Sequence, residues 1–196
     1  NGRTKDGDDK TQVAVLKMLA MSSSRPFAEN LAEMNIAPIA VSYEYEPCDA
    51  LKTQEVYLLR KNGTYTKTAN EDLNSIVTGI RQFKGRISYT FCPPITETEL
   101  ASCQEAPHKE RFRLLAEIID RRIYSGYRLF KTNYMAYDLL EGTHRFAQFY
   151  RDEDLKEFIA YTDERTSSLE GDRGELRNIF LGIYATPVRN CIDNNI

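Results

Sequence analysis

Near its start the chain carries Gly2-Arg3-Thr4-Lys5, which sets a backbone open to close approach beside a guanidinium, a hydroxyl and an ammonium. Arginine presents a planar donor fork matched to phosphate oxygens, and lysine adds a mobile point charge. Placed just before a helix, such a group suits a phosphate monoester. The competing reading is a solvated charged loop, because Asp6, Asp8 and Asp9 follow at once and balance the positive side. Asp6-Gly7-Asp8-Asp9 lacks the spaced ligands and distal bidentate glutamate of a calcium loop, so a turn with helix-capping aspartates explains it better.

Other groups able to do chemistry are sparse. His108 opens a helix beside Lys109 and Glu110, and His144 follows a Glu141-Gly142-Thr143 turn. Two isolated histidines point to ordinary surface or partly buried side chains. Cys48, Cys92, Cys103 and Cys191 form no CxxC pair and no metal-ligand spacing with either histidine. Free thiols in a reducing compartment are expected, and no metal or other cofactor. Tyr124, Tyr127, Phe130, Tyr134 and Tyr137 have apolar bodies and, for the tyrosines, polar tips, which suits core packing first and a membrane or protein interface second. Interleaved Arg121, Arg122, Arg128 and Lys131 form either a solvated basic face or a surface for anionic lipid headgroups.

The elements that must hold these residues divide at about residue 95. Thr11 is expected to cap a helix over 12–21, and a second short helix follows Pro26. The short apolar run Asn35 to Tyr43 reads as a strand buried on both faces, typical of a parallel sheet, with Pro38 marking an edge or irregular position. Helices are expected over 49–59, stopping at Asn62-Gly63, and over 70–83, stopping at Lys84-Gly85. Arg86 to Phe91 alternates polar and apolar like a half-buried strand, closed by Cys92-Pro93-Pro94. Beyond Thr96 strand signals disappear. Phe112, Leu115, Ile119 and Ile123 share one helical face, and Leu155, Phe158 and Ile159 begin another. Leu176, Ile179, Phe180, Ile183 and Tyr184 form the clearest stripe, continued by Val188, Cys191 and Ile192 past a Pro187 expected to kink or interrupt it. The fold expected is therefore α/β, a partial mixed sheet flanked by helices over 1–95, followed by an all-helical extension over 96–196.

Composition narrows the classes. With 41% hydrophobic and 28% charged residues the chain is an ordinary globular one. Its net charge of -3 and pI near 5.6 argue against a dedicated nucleic-acid binder. No window approaches the ~18 consecutive apolar residues of a membrane span, and the polar start does not resemble a signal peptide. A cytoplasmic location is expected, with any membrane contact peripheral, on the inner face.

Gly2-Arg3-Thr4, the helix bearing Lys17, a second helix, the strand Ile36-Ala37-Pro38-Ile39-Ala40-Val41 and the later strand running into Pro93-Pro94-Ile95 occur in an order that resembles the second half of the glycerolipid acyltransferase family. That family includes 1-acylglycerol-3-phosphate acyltransferases. Its Phe-Pro-Glu-Gly-Thr-Arg-Ser block binds the acceptor phosphate and precedes a Val-Pro-Val-type strand and a strand ending in Gly-x-Pro-Ile. Ser125-Gly126-Tyr127-Arg128-Leu129 to Asn133-Tyr134, and Ile183-Tyr184-Ala185-Thr186-Pro187-Val188, resemble a bacterial subgroup. The likeness covers most of the chain. It departs at Asn1, where the family has glutamate, and at Arg3, which sits one position early.

The resemblance implies acyl transfer from acyl-CoA or acyl carrier protein to glycerol phosphate or a lysophospholipid such as lysophosphatidic acid. Gly2, Arg3, Thr4 and Lys5 would hold the acceptor phosphate. The family's catalytic histidine has an aspartate at the fifth position after it; here His108 is followed at that spacing by Arg113 and His144 by Phe149. The chain is therefore expected to be a C-terminal portion, inactive alone, whose incomplete sheet favours pairing into a homodimer. A different class of function, a non-enzymatic helical module docking a protein partner or a membrane, is the alternative.

Overall fold

The computed structural model describes residues 10–21 and 23–196. Along the chain come α1 (Val13–Ala20), α2 (Phe27–Glu33), β1 (Ile39–Tyr43), α3 (Asp49–Asn62), α4 (Glu71–Arg81), β2 (Ile87–Phe91), α5 (Glu97–Glu105), α6 (Arg111–Ser125), α7 (Lys131–Glu141), a 3-10 turn (Ala147–Phe149), α8 (Asp152–Ser167) and α9 (Arg173–Asp193). Thr11 does not cap α1. Gln12 stands at the cap, and the Thr11 N–H is donated to Asp120 on α6 at 2.7 Å. α5 has the clearest start signal, a capping box in which Thr96 and Glu99 satisfy each other's backbone N–H groups. α3 stops where Gly63 takes a left-handed conformation, at the Asn62-Gly63 pair the sequence marks.

Among the described residues three cores hold the helices other than α4. Leu16, Leu31, Leu100, Leu115 and Ile119 join α1, α2, α5 and α6, with Ile95 among them. Met135, Phe158, Phe180, Leu181 and Tyr184 join α7, α8 and α9. Val56 and Tyr57 of α3 close on Leu176 and Ile179 of α9. The expected stripe on the last helix is thus buried from Leu176 to Cys191, each large side chain contributing about 1.5–3 kcal/mol of apolar burial, and Ile192 is half-buried. Pro187 does not interrupt α9, and Val188 and Cys191 beyond it are still buried.

The expected α/β architecture is not the one found. About 62% of the described residues are helical, and their sheet is a single antiparallel pair, β1 with β2, so the fold is mainly helical. The register sets Ile39 opposite Phe91, Val41 opposite Tyr89 and Tyr43 opposite Ile87. The run at β1 is apolar on both of its faces, which reads as a parallel strand covered twice. Only one face is covered: Ala40 is 1% exposed, whereas Ile39 is 48% and Val41 38% exposed. The covered face lies against the end of α6, where a Cβ on Gly126 would come within 2.9 Å of the Ala40 Cβ and 3.0 Å of the Cys92 Sγ. No larger residue permits that approach.

Candidate functional site

The phosphate-binding group expected at Gly2, Arg3, Thr4 and Lys5 lies outside the described residues. The Thr11–Asp120 bond brings the chain onto the fold beside α6.

The most unusual surface is the outer side of β1 and β2. Alternation along β2 is as expected but its polarity is inverted: Ser88 and Thr90 face inward, and Ile87, Tyr89 and Phe91 face out, Phe91 with 79% exposure. With Ile39, Val41 and Tyr43 across the register, the outer face carries no charged side chain. Glu44 N–H to Arg86 C=O and Cys92 N–H to Pro38 C=O, both at 2.9 Å, put the even-numbered residues of β1 in the ladder. The backbone groups of 39, 41 and 43 therefore point to an edge with no strand beside it among the described residues.

α4 repeats the inversion. Leu73, Ile76, Val77 and Ile80, at helical spacing, are all exposed, while Ser75, Thr78 and Gly79 turn inward. The Cys48 thiol donates to the Ser75 carbonyl, and Phe83, just past the helix, leans on the Tyr45 ring at 5.5 Å.

At the free edge of β1 the apolar face runs into a cleft of about 310 Å³ lined by Val41, Tyr43, Tyr89, Arg128, Ile183 and Pro187, with the Lys52–Glu46 ion pair (3.2 Å) on its wall. Burial first, then the neighbouring Tyr89, Glu46 and Cys48, push the Tyr43 phenol above its ordinary pKa, so it is a hydrogen-bond donor at neutral pH. The Arg128 side chain is exposed and finds no carboxylate among the described residues, while the Arg128 backbone N–H is donated to the Ser42 hydroxyl at 3.0 Å.

Other sequence candidates resolve into structure. His108 and His144 are exposed and sit in separate turns, before α6 and after α7. All four cysteines are buried free thiols, and no group among the described residues is arranged to hold a metal. The aromatic run is packed: Tyr124 and Phe130 are each 5% exposed, and Tyr134 stacks on Phe149 at 4.3 Å. Of its interleaved cations, Arg122 is bound by Glu99 and Lys131 by Asp154, while Arg121 and Arg128 are exposed. No helix among the described residues is long and apolar enough to cross a membrane.

Sequence reasoning missed the most elaborate polar cluster. Asp49, fully buried at the start of α3, accepts from the Tyr161 hydroxyl (2.6 Å), the Tyr184 hydroxyl (2.8 Å) and both Nε (2.8 Å) and a terminal nitrogen (2.5 Å) of Arg165. Burial and then the Asp49 charge raise both phenols well above the ordinary tyrosine value, so both remain donors. The cluster ties α3 to α8 and α9. An aspartate opening a helix is too common to signal it, and its partners are more than a hundred residues away.

Compared with protein-family models, curated proteins and solved structures, the chain gives no significant match.

Proposed function

We propose that this chain is the acceptor-binding portion of a glycerolipid acyltransferase, using acyl-CoA or acyl carrier protein as donor and glycerol phosphate or a lysophospholipid as acceptor. The observation that carries this reading is the outer face of β1 and β2. The sheet is an antiparallel pair, not the mixed sheet the resemblance implies, and what supports the reading is that this pair turns Ile39, Val41, Tyr43, Ile87, Tyr89 and Phe91 outward. A two-stranded sheet is marginal in water by itself. Such a face suits a portion that works against another part of its enzyme, with acyl chains nearby.

In this role Arg3, assisted by Thr4 or Lys5, grips the acceptor phosphate and fixes the hydroxyl for attack. The hydroxyl oxygen adds to the thioester carbonyl carbon, its proton passes to a histidine held by an aspartate, and the carbon–sulfur bond breaks to release the thiol. Neither His108 nor His144 has the spacing of that base, so a residue outside this chain supplies it.

A second reading, a module that docks a protein partner without catalysis, is favoured by one observation: α4 keeps Leu73, Ile76, Val77 and Ile80 in solvent. One experiment separates the two. The full product of the reading frame is assayed with acyl-CoA or acyl carrier protein as donor and lysophosphatidic acid or glycerol phosphate as acceptor, following free thiol and acylated product. Turnover is expected, with Arg3→Ala raising the acceptor KM about tenfold or more, a loss of about 1.4 kcal/mol, and leaving the donor KM unchanged. No turnover with any donor–acceptor pair sinks the enzyme reading and leaves the docking module.

A further inference from the structure

A groove of about 540 Å³ lies between α5, α6 and the end of β2, within the range of about 300–1,000 Å³ typical of small-ligand sites. Leu114 and Ile118, one turn apart on α6, line it together with Cys103 of α5 and with Phe91, Cys92 and Pro93. Burial pushes the Cys103 thiol above its ordinary pKa, so it adds apolar wall and no charge.

The charged side chains around this groove are satisfied unequally. Glu99 receives two bonds from Arg122, at 2.7 and 2.6 Å, and Arg122 also donates to the backbone carbonyls of Pro93 and Pro94. Glu117 is paired with Arg113. Arg121 is the exception: it lines the groove, is exposed, and finds no carboxylate among the described residues. Glu117 shares Arg113 with Glu110, so the four charges lining the groove cancel, and Arg121 is the one of them without an ion pair among the described residues.

We propose that this groove binds a single-chain amphiphile with an anionic head, the chain along Leu114, Ile118 and Phe91 and the head at Arg121. An apolar wall without charge favours the chain, and a guanidinium at its margin matches a phosphate or carboxylate head. The inference goes beyond the acyltransferase reading, which assigns its phosphate grip to Arg3, and it does not depend on it, because binding requires no turnover.

The test is calorimetric titration with three ligands kept below their micelle concentrations: lauroyl lysophosphatidic acid, lauric acid and the uncharged monolauroylglycerol. Saturable binding of both anionic ligands is expected, about tenfold tighter than of the neutral one, equivalent to ~1.4 kcal/mol. Arg121→Gln removes that preference and leaves monolauroylglycerol binding in place. Ile118→Trp blocks all three ligands. Because Ile118 also packs on the first core, the exposed Ser102→Trp serves as the second blocking variant. A phosphate head preferred over a carboxylate assigns the site to lysophospholipids, and equal affinities assign it to any anionic chain. No saturable binding, or binding that survives Ser102→Trp and ignores Arg121→Gln, overturns the proposal and puts any amphiphile elsewhere.

Discussion

The bundle of α7, α8 and α9 and the segment from β1 through α4 to β2 treat their side chains in opposite ways. In the bundle Phe158 and Phe180 are sealed from water, and the acid Asp49, buried against it from α3, has a hydrogen bond for every direction it faces. In the β1–β2 segment the small and polar residues Ala40, Ser42, Ser88 and Thr90 face the protein, while Ile76, Ile80, Tyr89 and Phe91 face out. The bundle is finished by its own residues. The segment has an apolar surface that no described residue covers, and exposed apolar area of this kind marks a place of contact.

Substitutions can sharpen or break this contrast. The largest effect is expected from Phe180→Ala, which opens a cavity in the bundle core and costs about 3–5 kcal/mol, read from urea unfolding. Asp49→Ala comes next, at about 3 kcal/mol, because it leaves Arg165 and two tyrosine hydroxyls without their acceptor. Arg165 is 24% exposed and reaches some water, which keeps the cost at the lower end. A loss below about 1 kcal/mol in that variant would mean the cluster is solvated and the bundle is not sealed.

An acid titration probes the same bundle more gently. Hydrogen bonds from Arg151, and then from Lys131, hold the Asp154 carboxyl far below the usual aspartate range. A depressed folded value means that its contribution is fully present above the unfolded pKa of about 3.9 and is lost as pH falls through the folded value. Asp154→Asn should therefore flatten the acid limb of the stability curve and leave its shape above pH ~5 unchanged. An unchanged acid limb would show that the Lys131–Asp154 contact does not persist in solution.

The smallest effect on stability is expected on α4. Ile76→Lys with Ile80→Lys should shift unfolding by no more than ~0.5 kcal/mol per site, because neither side chain is packed, while lowering self-association in light scattering. A cost above about 2 kcal/mol would show that this face is covered in solution and would erase the difference between the two regions.

Much of the element order was legible because it depends on local rules. Gly63 stops α3 and the stripe from Leu176 to Tyr184 gives the buried face of α9, each within a few residues of chain, whereas the Thr96–Glu99 box that starts α5 went unread. The sheet was misjudged because an apolar strand has the same sequence whether both faces are covered or one lies open. The run at Asn35 to Tyr43 reads as a strand buried on both sides, and the alternation at Arg86 to Phe91 reveals the period without revealing which side is inside. Of the candidate site, the phosphate group at Arg3 came from sequence and falls outside the described residues. The outer sheet face, the groove beside Arg121 and the Asp49 cluster came from structure.

What the sequence determined by itself was helix, strand and stop, because capping, periodicity and left-handed glycines act over one or two turns of chain. What only the tertiary structure decided was direction: which side of β1, α4 and β2 meets the protein, and which residues close around Asp49. Those outcomes depend on partners far apart in sequence, such as Gly126 beneath Ala40 and Tyr161 beside Asp49, which no local pattern encodes.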